Sequence, residues 1–259
     1  MEETNISQEQ NPLGAAPVGG LILKFAIPAI ISMLVSAMYN IVDQIFIGQG
    51  VGMLGNAATN VAFPVTTIAT ALALLLGIGG ASNYNLEMGA GREQRASSIA
   101  GTALSTLVIT GAVLALVVLL FLRSLLGLFG ATTDVMPYAV DYLGITAVGL
   151  PFYVLSIGGN HIVRADRSPT YSMTCVLTGA VINTILDPLF IFGFGWGIKG
   201  AAWATVIGQV VSGILVIIYF GKFRKMYLET GMLKPSAECL KAIVSLGMAS
   251  CINQIAMAI

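Results

Sequence analysis

Read for its hydrophobic and polar positions, the chain resolves into six long apolar runs separated by short stretches that carry glycines, prolines and charges. The runs cover about 21–47, 56–82, 97–122, 136–163, 169–192 and 199–220, each matching the roughly 20 residues a helix needs to cross a bilayer. The residue-by-residue alternation of a barrel strand is missing from them, so the pattern predicts an all-α, polytopic membrane bundle. A seventh apolar run opens at about residue 241 and continues to Ile259. The organisation expected is a polar tail over 1–20, a six-helix transmembrane lobe over 21–220, a loop over 221–240 and the start of helix 7 over 241–259. LKFAIPAIISML and VSLGMASCINQI are weakly alike, as expected if a second repeat begins there and the reading frame is truncated.

Composition narrows the class. Hydrophobic residues make up 56% and charged residues 9% of the chain, against roughly 45–50% and 25% in soluble domains; the mean hydropathy is +0.88. A net charge of zero, with no basic run interleaved with aromatics, argues against nucleic acid as a partner. Cys175, Cys239 and Cys251 have neither disulfide-framework nor zinc-site spacing and read as small buried apolar residues. The opening MEETNISQEQNPLGAAPVGG is acidic and polar, where a signal peptide is basic and then apolar.

The basic residues set an orientation. With the N-terminus cytoplasmic, Lys24, Arg92, Arg95, Arg164, Arg167, Lys222, Arg224, Lys225, Lys234 and Lys241 share the cytoplasmic side, and Arg123 and Lys199 take the other. That bias follows the positive-inside rule and predicts a multi-pass protein of the plasma (cytoplasmic) membrane.

Against this apolar background the polar residues inside the runs stand out. At about 1.5 Å per residue, Asp43 lies roughly 6 Å, Asp187 about 7.5 Å and Thr205 about 9 Å below the outer ends of their helices, and Tyr142 falls in the same layer. Ser32, Ser36, Tyr39 or Asn40, and Asp43 follow helical spacing; so do Asn183 and Asp187, and Thr205, Gln209 and Ser212. Carboxylates are costly toward lipid, so these stripes should face a wet interior and mark an ion or proton path, with Tyr39, Asn40, Asn160 and Gln209 lining the cavity. Pro188 leaves the Thr184 carbonyl without its helical donor. Together with Asp43, Asn183, Asp187 and Thr205 this makes an oxygen-rich set suited to a hard cation such as Na+. Pro28, Pro64 and Pro151 read as packing kinks.

Other chemistries fit less well. Membrane aspartyl proteases carry Tyr-Asp and Gly-x-Gly-Asp, whereas the contexts here are IVD and ILD. The lone His161 has no rhomboid-type serine motif and reads as an interfacial or packing residue. GIGGAS at 77–82 lacks the strand and acidic residue of a dinucleotide loop, and its glycines read as helix-packing contacts.

The segments NIVDQIFIGQG and NTILDPLFIFGFGWGIKGAAWATVIGQ, with the connector HIVRADRSPTYSM, resemble the N-terminal lobe of multidrug and toxic compound extrusion (MATE) transporters, drug-efflux branch, over Gly20 to Ile259. The resemblance implies a non-enzymatic antiporter of two six-helix lobes that exchanges sodium ions or protons for small organic, often cationic, compounds and carries no cofactor. Its partners would be the coupling cation, the lipid bilayer and a second lobe of the same protein. Asp43, Asn183, Asp187, Thr205 and Tyr142 occupy the positions of the family's coupling residues. Arg164 and Asp166 depart from the glycine-containing RGxGD turn and are read as gating or structural. The alternative is a lipid-linked oligosaccharide or polysaccharide flippase of the same superfamily, which would use a cationic cavity; no Lys or Arg lies mid-helix in this chain.

Overall fold

The computed structural model describes residues 18–223, 226 and 230–257. The tail over 1–17 and the basic residues Arg224 and Lys225 lie outside the described residues. The chain forms α1 (Val18–Gly50), α2 (Met53–Gly89), α3 (Glu93–Leu120), α4 (Leu122–Leu128), α5 (Met136–Ala165), α6 (Pro169–Pro188), α7 (Ile198–Ile218) and α8 (Ala237–Ala256). Among the described residues seven helices are long and apolar enough to span a membrane, all but the short α4. This is a multi-pass membrane protein, and its helices pair their backbone groups within each span, as lipid demands.

The boundaries differ from the sequence pattern where polar residues continue a helix. α2 runs to Gly89 because its polar end finds partners: Asn83 Nδ2 donates to the carbonyls of Gly79 and Ala242, each at 2.9 Å, and Glu87 pairs with Arg92 and Arg95. The third run breaks at Phe121, and α4 turns away as a short helix. After Pro188 the chain widens into one π turn, Leu189–Gly193, a usual way to absorb a missing helical N–H. Phe190, Phe194 and Trp196 cluster there with ring centroids 5.3–5.7 Å apart, forming an aromatic anchor of the kind found at membrane interfaces.

α5 is the hub, packed against α2, α3 and α7, while α6 lies between α1 and α7. α1 leans mainly on α6, and Ile22, Leu23, Ile27, Ile30, Met33, Leu34, Met38, Ile41 and Ile45 remain exposed along it. The core is built from small side chains such as Ala58, Ala62, Ala69, Ala73, Ala100, Ala103 and Ala147, which let helix backbones approach closely. The GIGGAS glycines act this way: a Cβ on Gly77 would fall 2.5 Å from Gly158 Cα.

The seventh run forms a 20-residue helix seated on the lobe. α8 packs along α2 with contacts to α3. Gly79 lies against the Ile243 carbonyl and Gly247 against that of Leu75, with no room for a side chain at either. Arg95 reaches Glu238 at 2.7 Å.

The helix order puts the 89–93, 165–169 and 219–237 connectors at one end of the bundle and the 50–53, 121–135 and 189–198 connectors at the other. If the charge bias sets the orientation, a cysteine at Thr133 should react with an impermeant reagent from outside, and one at Ala90 only after permeabilisation. Both positions are exposed and avoid Gly91 and Gly130, whose positive φ angles disfavour a side chain. The reverse labelling would overturn the orientation.

Candidate functional site

The polar stripes read from the sequence converge. On α6, Asn183 and Asp187 stand one turn apart on a buried face, 3% and 0% exposed. Asn183 Nδ2 donates to Asp187 Oδ1 and to Thr205 Oγ1 of α7, both at 3.4 Å. With the amide turned over, its nitrogen reaches Asp187 Oδ2 and its oxygen the Thr205 N–H, each at 3.3 Å, so either orientation ties Asp187 to Thr205. The close approach of α6 and α7 depends on Gly179 and Gly208, which face each other: a Cβ on Gly208 would sit 2.8 Å from the Gly179 oxygen and 3.3 Å from Asn183 Cβ.

Asp43 comes to this cluster from α1, 7% exposed. Its carboxyl and that of Asp187 lie within hydrogen-bonding reach of each other, while Asp43 Oδ1 has no partner among the described residues. Two neighbouring carboxyl groups buried together favour a shared proton or a shared cation. Tyr142 reaches Thr205 from α5, close to both aspartates and to Tyr39. Asp43, Tyr142, Asn183, Asp187 and Thr205, drawn from four helices, therefore cluster together.

Beneath it opens a cavity of about 410 Å³, lined by Ser32, Ser36, Tyr39 and Asn40 of α1, Tyr153, Ser156 and Asn160 of α5, Asn183 of α6, and Thr205, Gln209 and Ser212 of α7. Ser156 and Ser212 hydroxyls bridge it at 2.6 Å. Asn160 Oδ1 and Gln209 Oε1 are buried without a partner among the described residues. Unpaired buried oxygens are costly, and here they accumulate as acceptors. Among the described residues no group of three or more His, Cys, Asp or Glu side chains converges, so any cation would rely on amide and hydroxyl oxygens beside the two carboxyls.

Sequence reading missed the contribution of α5 beyond Tyr142 and Asn160. Tyr142, Thr146, Gly149, Tyr153, Ser156, Asn160 and Arg164 recur at steps of three or four, a polar stripe as regular as the other three. His161 and Arg164, near the end of α5, also line the cavity. The connector that follows is structural: buried Asp166 accepts from the Tyr219 hydroxyl at 2.7 Å and the Tyr84 hydroxyl at 3.2 Å.

The MatE family profile matches residues 28–189. The multidrug export protein MepA of Staphylococcus aureus (strain NCTC 8325 / PS 47) is 28% identical over 243 residues, covering 93% of this chain and 54% of that protein. An FAD transporter of Shewanella oneidensis is 34% identical over 222 residues, 82% of this chain and 48% of that protein. A crystal structure of MATE in the straight conformation superposes with a TM-score of 0.85 at 30% identity, over 92% of this chain and 53% of that one. The chain spans about half the length of the curated relatives it matches.

Proposed function

The chain belongs to the MatE family, and from that premise we propose that it forms the ion-coupling lobe of a secondary antiporter. In this reading Asp43 and Asp187, with Asn183, Thr205 and Tyr142, bind Na+ or H+, and the cavity beneath admits small organic, predominantly cationic, compounds for export across the plasma membrane. The observation that carries the proposal is the apposition of the Asp43 and Asp187 carboxyls inside the bundle, next to a cavity in which Asn160 Oδ1 and Gln209 Oε1 are buried without a partner among the described residues. Relatives named for multidrug export and for FAD transport both occur, and an acceptor-rich cavity favours positively charged cargo over anionic. The same feature favours the antiporter over a flippase of anionic lipid-linked sugars.

Coupling then follows from linkage. Occupancy of the aspartate pair alters how α1 packs on α6, and cargo that binds one packing better than the other exchanges with the ion through that difference. A second lobe supplies the opposite wall and the body against which this one rocks. The test is drug-dependent sodium or proton flux in proteoliposomes holding a two-lobed protein that contains this chain. Counterflow of ion and organic cation is expected; drug flux that ignores both ion gradients would overturn the coupling.

A further inference from the structure

A second cavity, of about 690 Å³, opens at the opposite end of the span from the aspartates, where the start of α1 meets the ends of α2 and α5. Its polar wall carries His161, Arg164 and Arg167 with Ser82, Tyr84 and Asn85, and no Asp or Glu lines it. Its apolar floor is Phe25, Ile78, Ala81 and Met88. On α2 the lining positions recur at helical spacing and leave Glu87 on another face, where it pairs with Arg92 and Arg95. Asp166, next along the chain, is turned toward the Tyr84 and Tyr219 hydroxyls.

Arg164 is the anomaly. It is half-buried, its Nε donates to Ser172 Oγ at 3.0 Å, and no carboxylate lies within salt-bridge distance of it among the described residues. A last-turn arginine favours the helix dipole, and a guanidinium partly withdrawn from water gains further from a full negative charge. Arg164 and His161 also line the aspartate-side cavity, so they form the partition between the two. A basic pocket between transmembrane helices at a membrane face, with an apolar floor beside it, has the chemistry of a phospholipid headgroup site.

We propose that this cavity binds a phosphate-bearing anion, held by the Arg164 guanidinium with His161 and Ser82 alongside. The anion is the headgroup of an acidic phospholipid or a soluble phosphate compound. The site is separate from the ion-coupling residues and stands whether or not the transport reading does.

The test places the purified 259-residue chain in nanodiscs of phosphatidylcholine with or without phosphatidylglycerol, and in neutral detergent with inorganic phosphate. Native mass spectrometry reads retained lipid, and thermal unfolding reads the phosphate effect. Retention of phosphatidylglycerol, reduced about tenfold by Arg164→Gln, which removes a charge-assisted contact, and partly kept by Arg164→Lys, assigns the lipid source. A phosphate-induced rise in unfolding temperature without lipid retention, lost in the same variant, assigns the soluble one. Ser82→Asp sets a carboxylate opposite the arginine and should also expel the anion, which keeps the test decisive should Arg164→Gln fail to fold. Wild-type protein that binds neither probe, or variants that bind both as wild type does, overturns the proposal.

Discussion

Asp43→Asn and Asp187→Asn are each expected to abolish ion-driven export in a transport-competent protein containing this chain, while its amount in the membrane stays unchanged. The amide preserves the shape of the side chain and most of its hydrogen bonding, so the packing of α1 on α6 should survive. What it removes is the negative charge on one of two neighbouring buried carboxyl groups, and with it the ability to hold a cation or exchange a proton. Asn183→Ala should act more mildly: it deletes the amide that ties Asp187 to Thr205 and weakens ion dependence without erasing it. Export is measured in vesicles against an imposed sodium or proton gradient, with the protein quantified in the same membranes. Normal export by both aspartate variants would remove the site from the mechanism.

Gly247→Leu is expected to detach α8 from the lobe. The α2 and α8 backbones meet where Gly247 faces the Leu75 carbonyl and Gly79 faces that of Ile243, so a leucine there has no rotamer that avoids main chain. Overpacking of this kind costs about 1–3 kcal/mol, and for a protein of this size each kcal/mol lowers Tm by about 2–4 °C. Cys251, buried in α8, gives a second readout: with Cys175 and Cys239 replaced by serine, maleimide labelling of Cys251 should rise as Tm falls. Gly127→Leu, at a glycine with nothing within 4 Å of its missing Cβ, is the matched control and should change neither. Unchanged Tm with Cys251 still protected would show that α8 docks by some other surface.

The aspartate site was legible because lipid makes polar side chains informative. In so apolar a chain, Asp43, Asn183, Asp187 and Thr205 stand out one by one, and the constant rise of a helix converts their positions into depth. Tyr142 followed from the same reckoning. The α5 stripe was harder to see because glycine, tyrosine and serine are ordinary in membrane helices, and the common spacing of Tyr153, Ser156, Asn160 and Arg164 gains meaning once α5 is known to be the hub. The cavity-lining position of Arg164 was hidden for a different reason. Depth was counted at the helix axis, and a long side chain displaces its charge from that level. The docking of α8 could not be read at all, since two glycines far apart in sequence carry no sign that their backbones touch. The extension of α2 to Gly89 was hidden likewise, as its stabilising partners lie on α8 and in the next connector.

The leaning of α1 on α6 bears on how the chain is made. α1 is synthesised first, yet its principal partner follows only after α2 to α5 have been completed. At about 5–20 residues per second, on the order of ten seconds pass before Asp187 exists. Through that interval Asp43 lies in a membrane without its counterpart, where an aspartate costs at most the about 2.5–3.5 kcal/mol of insertion free energy found at mid-span and each leucine or isoleucine returns about 0.3–0.6. The run of Ile22, Leu23, Ile27, Ile30, Ile31, Leu34, Ile41 and Ile45, still exposed in the finished fold, is enough to offset that cost. The exposed apolar side of α1 is thus what allows a nascent helix to carry a carboxylate into the bilayer and wait there for its partner to be translated.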